Sequence, residues 1–88
     1  MDEEVEVRVL FFGKARELME CEEAKTRLPR VLPYEKLKEM IFTQLFEALN
    51  CISASCVLAV DLKYANKDEI VKLNPLSEIA VIPPLSGG

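Results

Sequence analysis

The sequence contains no histidine, so the commonest general base near neutral pH is missing, and with it any Ser-His or Cys-His nucleophilic pair. Self-contained hydrolytic chemistry is not expected. Glycine is scarce, at 3 of 88 residues. Gly13-Lys14 is followed by Ala15 and has no upstream glycine, so the phosphate-cradling pattern G-x-x-x-x-G-K-[ST] is not met. Any ATP used in the function is expected to bind a partner. Basic residues are outnumbered, 11 Lys and Arg facing 15 Asp and Glu for a net charge of −4, which gives no electrostatic footing for nucleic acid or an anionic membrane. Long apolar runs are lacking too. Residues 9–12 and 57–60 are apolar runs of four, far short of the roughly twenty residues of a spanning helix. The acidic start, Met1-Asp2-Glu3-Glu4, is unlike a secretory signal or an Arg-rich transit peptide. A cytosolic protein is expected. Cys21, Cys51 and Cys56 make an odd count with no C-x-x-C pair, a poor disulfide framework and an incomplete zinc set. Reduced thiols, buried or half-buried, and no bound metal are therefore expected.

Half of the residues are hydrophobic and 30% are charged, the mix of a globular chain, and the length suits one domain. From Val5, the residues Val5, Val7, Val9 and Phe11 alternate with Glu6 and Arg8, which predicts a half-buried strand. Leu10 and Phe12 share the parity of those charged residues, so large apolar groups should approach solvent at the strand's end. Residues 14–19 are good helix formers and predict a short helical segment. Residues 23–28 alternate weakly and end at Pro29, a second strand. Pro33 suits a first helical position, and Tyr34, Leu37, Ile41, Leu45 and Ala48 recur at helical spacing, widened by Phe42, Phe46 and Leu49. This predicts one long helix, with Asn50 in the left-handed conformation that often ends one. Residues 56–60 predict a third strand, followed by the turn-prone Asp61 and a short extension at Lys63-Tyr64. Asn74-Pro75 marks a turn before the apolar run Ile79-Ala80-Val81-Ile82, a final strand.

The expected architecture is a two-layer α+β domain, a mixed sheet packed on one long helix. The first two strands should pair as a hairpin, and the long helix should carry the chain across the sheet so that the last strand lies parallel to the first. That is the β-grasp, or ubiquitin-like, arrangement, although periodicity alone does not select a strand order. The domain is expected to span residues 1–82, with an extended tail at 83–88.

The tail, Pro83-Pro84-Leu85-Ser86-Gly87-Gly88, has no charged side chain and ends in two glycines. The proline pair favours polyproline II, so six residues could project the terminus roughly 20 Å. Gly87 and Gly88 lack Cβ atoms and suit a narrow channel in another protein. A carboxylate delivered there can attack the α-phosphate of ATP, giving an acyl-adenylate from which sulfur or an amine displaces AMP. The plain alternative is a frayed terminus.

The chain resembles the small subunits of molybdopterin synthase, ubiquitin-like sulfur carriers of molybdenum-cofactor biosynthesis. Three stretches carry the resemblance: Val9-Leu10-Phe11-Phe12-Gly13-Lys14-Ala15-Arg16-Glu17-Leu18, then Leu58-Ala59-Val60-Asp61, and most specifically Glu78-Ile79-Ala80-Val81-Ile82 with the tail to Gly88. The resemblance implies a C-terminal thiocarboxylate on Gly88. It would be made by glycyl adenylation on a ubiquitin-activating-like adenylyltransferase, which consumes the ATP, and by sulfur transfer from a persulfide donor. The chain itself would bind no cofactor. The tail residues Pro83, Pro84, Leu85, Ser86 and Gly87 would enter the large subunit's active site, where sulfur passes to cyclic pyranopterin monophosphate. The resemblance further implies a heterotetramer of two small and two large subunits. Leu76-Ser77 stands where that family usually has Gly-Asp, and Leu32-Pro33-Tyr34 lacks a Ser, Thr or Asp helix cap, worth about 1 kcal/mol.

If the first and last strands are parallel neighbours, Leu10, Phe12 and Ile82 form an apolar patch beside the tail's root, with Tyr64 near the same surface. This patch is the expected docking face for the large subunit. The cysteines have no thiolate-stabilising neighbours in sequence and are not expected to carry sulfur. A thiamine or transfer-RNA sulfur carrier, a protein modifier joined through Gly88 to a lysine, and a plain docking domain remain alternatives, because ubiquitin-like folds serve all of them.

Overall fold

The computed structural model describes residues 4–65 and 68–83, the side chain of Tyr64 excepted. The alternation of the first strand is realised as β1 (Glu4–Phe11), with Val5, Val7, Val9 and Phe11 buried and Glu4, Glu6 and Arg8 exposed. A short helix α1 (Gly13–Met19) follows, and the chain returns as β2 (Glu23–Pro29), antiparallel to β1. Pro29 belongs to this strand, which is tolerable because β2 is the sheet's edge. After β3 (Val31–Pro33) and the helical layer come β4 (Val57–Val60), β5 (Lys63–Tyr64), β6 (Ile70–Lys72) and β7 (Glu78–Ile82).

The main sheet has the order β2-β1-β7-β4-β5. β7, last in the chain, lies at its centre, parallel to β1 and antiparallel to β4. The β1–β7 register pairs Leu10 with Ala80 and Phe11 with Val81. One face of this mixed sheet is covered by the helical layer, with Phe11, Val9, Leu58, Ile79 and Val81 packed against Leu37, Ile41, Phe42 and Leu49. This is the β-grasp fold, in the α+β class.

The helical layer departs from the long helix that periodicity predicts. Tyr34–Glu39 is α-helical (α2), Met40–Leu45 is a π-helical turn, and Glu47–Ser55 is a 3₁₀ segment. The change of winding has local causes. The hydroxyl of Thr43 donates to the carbonyl of Glu39 at 2.6 Å, a bond that competes with the backbone ladder, and the amide of Phe46 donates five residues back to Ile41. Phe46 then leaves helical geometry altogether, at φ −130° and ψ 74°, and sets its ring edge-on to Phe11 with centroids 5.3 Å apart. Tertiary packing overrides propensity at this point. Asn50 does not adopt a left-handed conformation; its side-chain amide donates to the carbonyl of Phe42.

Pro33 occupies the N-cap, not the first helical position. No side chain caps α2, but the amide of Tyr34 donates to the carbonyl of Glu69 at 3.0 Å, satisfying one of the orphan donors of the first turn. That bond closes a second small sheet of β3 and β6, which sequence periodicity missed because three-residue strands carry too little alternation to register.

The turn containing Leu76 and Ser77 forms without a positive φ. Ser77 is buried; its amide donates to the carbonyl of Asn74 and its hydroxyl accepts from the amide of Asn74. The side chain of Asn74 accepts from the amide of Leu76. Side-chain bonding thus does what glycine would do through conformational freedom.

Candidate functional site

The uncovered face of the sheet changes character along its length. At one end, Arg8 on β1 bridges Glu23 at 3.0 Å and Glu78 at 3.1 Å, joining β2, β1 and β7 with a charged, solvated cross-link. Toward the other end the same parity brings Leu10 and then Phe12, 41% exposed. Register sets Ala80 beside Leu10, Ala59 beside Ala80 and Val57 beside Ile82. The amide of Phe12 donates to the carbonyl of Val81, which holds Phe12 to the end of β7.

Leu10, Phe12, Ala59, Leu62, Glu78, Ala80 and Ile82 together line an open groove of about 230 Å³. The two alanines form its low floor, because a methyl side chain leaves space that longer residues would fill. Ala59 is buried yet lies outside the main core cluster, as suits a residue facing the groove. The ionisable lining residue, Glu78, is paired with Arg8. Among the described residues the groove therefore offers apolar contact and no nucleophile or unpaired acid-base group; it is suited to docking.

The root of the tail lies at the same end of the sheet. Pro83 follows β7 directly, and a Cβ added to Gly13 would stand 3.6 Å from Cγ of Pro83. Gly13 itself has a φ of +52°, the left-handed region where glycine turns the chain from β1 into α1 without steric cost. Of the residues expected from sequence to form the site, Leu10, Phe12 and Ile82 are brought together. Tyr64 pairs with Ala59 through its backbone, while its side chain lies outside the described residues, as do Pro84, Leu85, Ser86, Gly87 and Gly88. Sequence reasoning missed Ala59 and Leu62. Ala59 joins the outer face once the β4–β7 register is known; Leu62 was signalled by an apolar residue in a turn.

The cysteines are free and lie elsewhere. Cys21 and Cys51 are exposed, contrary to expectation, and Cys56 is buried. Burial pushes the Cys56 thiol above its ordinary range, an effect that Lys38 partly offsets and Cys51 reinforces. No group of residues able to hold a metal ion occurs among the described residues, and no described helix is long and apolar enough to cross a membrane.

A family model described as the ThiS family matches residues 9–88. The chain belongs to the ThiS family. The molybdopterin synthase sulfur carrier subunit of Caenorhabditis briggsae is 44% identical over 84 residues, covering 96% of this chain and 99% of that relative. Among solved structures, molybdopterin converting factor subunit 1 from Pyrococcus furiosus superimposes with a TM-score of 0.70 at 25% identity, over 92% of this chain and 99% of that one. A subunit from the Helicobacter pylori complex of subunits 1 and 2 of molybdopterin-converting factor gives 0.65 at 20% identity, over 94% and 99%, a likeness of fold. The ThiS-family match spans residues 9–88 and so includes the end of β1, the groove-lining residues and the C-terminal residues.

Proposed function

We propose that this chain is the sulfur carrier subunit of a molybdopterin synthase. In this reading it carries sulfur as a thiocarboxylate on Gly88 and docks on the large subunit through the groove of Leu10, Phe12 and Ile82. The observation that carries the proposal is the coincidence of two features in a chain so similar to a named sulfur carrier subunit: the C-terminal strand is the central strand, and it ends beside an apolar groove with no acid-base apparatus of its own. Such a chain offers a carboxyl group and a docking face, and leaves catalysis to the protein that receives them.

The steps follow from the chemistry of a carboxylate. An activating enzyme of the adenylyltransferase class takes ATP and joins AMP to Gly88, because a free carboxylate is a poor electrophile. The outer sulfur of a persulfide donor displaces AMP to give an acyl disulfide, and a second thiol then cleaves that disulfide, releasing the Gly88 thiocarboxylate and leaving a disulfide on the donor side. Pro83 and Pro84 stiffen the start of the tail and the two glycines pass a narrow channel. In the large subunit the sulfur goes to cyclic pyranopterin monophosphate. Two small and two large subunits make the assembly in this reading, in the cytosol.

Top-down mass spectrometry tests this after incubation with the matching activating enzyme, ATP and a sulfur donor. The expected result is exchange of oxygen for sulfur confined to Gly88. An unmodified terminus beside an active control carrier would overturn the reading, and denaturation-resistant adducts to lysine would mark a protein modifier instead. Fragment localisation is essential, since oxidation of methionine or cysteine adds nearly the same mass.

A further inference from the structure

Leu62 breaks two local rules at once. It is 93% exposed, and its φ is +72°, in the left-handed region that non-glycine residues enter only at a steric cost. With Asp61 at φ +52° it makes the two-residue connection between the paired residues Val60 and Lys63, the backbone pattern of a type I′ hairpin turn. The second position of that turn strongly favours glycine. Strain of this kind persists where surrounding contacts impose it, and it concentrates at functional sites.

The contacts that impose it are visible. The amide of Asp61 donates to the carbonyl of Glu78, the amide of Glu78 donates to Oδ1 of Asp61, and the hydroxyl of Ser77 donates to Oδ2. The turn is thereby clamped to the start of β7, and Leu62 stands on the wall of the groove that also holds Phe12 and Ile82. A backbone already fixed by such bonds loses little freedom when a partner covers the side chain it carries. Chain geometry indicates which partner does so. The tail leaves the groove's end at Pro83, and its last five residues span at most about 18 Å when fully extended. A protein that receives Gly88 in its active site must therefore close over the surface beside Pro83, and the groove continues that surface from Phe12 and Ile82 at the end of β7 to Leu62 beside its start.

Building on the function proposed above, we propose that Leu62 is an anchor for the large subunit, inserting into an apolar pocket there and helping to set which large subunit this carrier accepts. The test uses the full-length chain and the large subunit. Leu62→Gly and Leu62→Asn both suit a left-handed turn position, so each is expected to melt at a higher temperature than the parent. Each is also expected to bind the large subunit about tenfold more weakly, as suits loss of a buried leucine. Leu62→Met should recover most of the affinity. A purely structural leucine would give the opposite stability result, and lower melting temperatures for both variants would overturn the proposal. So would affinities within about twofold of the parent. Phe12→Asp then locates the failure: loss of binding by that variant alone confines it to Leu62, whereas unaltered binding by all variants takes down the docking face and the function built on it.

Discussion

The two faces of the central sheet are made by the same strands and obey different rules. On the covered face, Val5, Val7, Val9, Phe11, Leu58, Ile79 and Val81 are all buried, and each residue satisfies both its strand and its neighbours. On the open face, large apolar residues stand where local preference asks for something else. Phe12 occupies the N-cap of α1 without a capping hydrogen bond, a position that favours Ser, Asp or Asn, and Leu62 occupies a turn position that favours glycine. The covered face is consistent from local propensity to tertiary packing, and the open face gives up local stability to present apolar surface. Such inconsistency is the physical mark of a site.

The adjacent residues Phe11 and Phe12 put this contrast to its strongest test. Phe11→Ala should lower unfolding stability by about 3–5 kcal/mol, because a fully buried ring packed on Phe46 leaves a cavity; chemical denaturation measures this. Phe12→Asp should leave stability unchanged or raise it by up to about 1 kcal/mol, since aspartate caps the helix, while abolishing measurable large-subunit binding in calorimetry. Equal loss of stability in both would erase the distinction between the faces.

A smaller effect is expected where the open face is clamped. Ser77→Ala removes hydrogen bonds to Asn74 and Asp61 and should cost about 1–3 kcal/mol, with faster amide exchange at Glu78 as the local readout. The thiols offer a further check on burial. Cys21 and Cys51 should alkylate readily in the native protein and Cys56 only on unfolding. Because burial raises the Cys56 pKa, its contribution to stability is fully present below the unfolded thiol value, about 8.5. It is lost as the pH rises through the higher folded value. A thermal-melt series compared with Cys56→Ala isolates that dependence. Smallest of all should be Arg8→Ala. Its ion pairs are roughly half exposed, so removing them should change stability by no more than about 1 kcal/mol and should mainly alter the salt dependence of docking.

Several features of the fold are local and were readable in advance. Period-two alternation marked β1 and a compact apolar run marked β7, turn chemistry marked Asp61 and Asn74-Pro75, and the parity of Leu10 and Phe12 announced an apolar end to the outer face. The helical layer was read less well, because a stripe of apolar residues at helical spacing is compatible with α, π or 3₁₀ winding. The choice among them rests on Thr43 reaching Glu39 and on Phe46 turning toward Phe11. The β3–β6 pair escaped notice because three-residue strands carry too little alternation to register, and their pairing joins segments far apart in the chain.

Alternation along β1, the apolar run of β7, the absence of histidine and the Gly-Gly end with its uncharged side chains all belong to the chain of letters, since none depends on which residues the fold brings together. The groove does not. Ala59 on β4, Leu62 on the following turn, Phe12 at the end of β1 and Ile82 at the end of β7 become neighbours only when β7 inserts between β1 and β4. That insertion is a matter of strand register, and register is set by long-range pairing and by burial of the opposite face. No stretch of sequence read alone contains it.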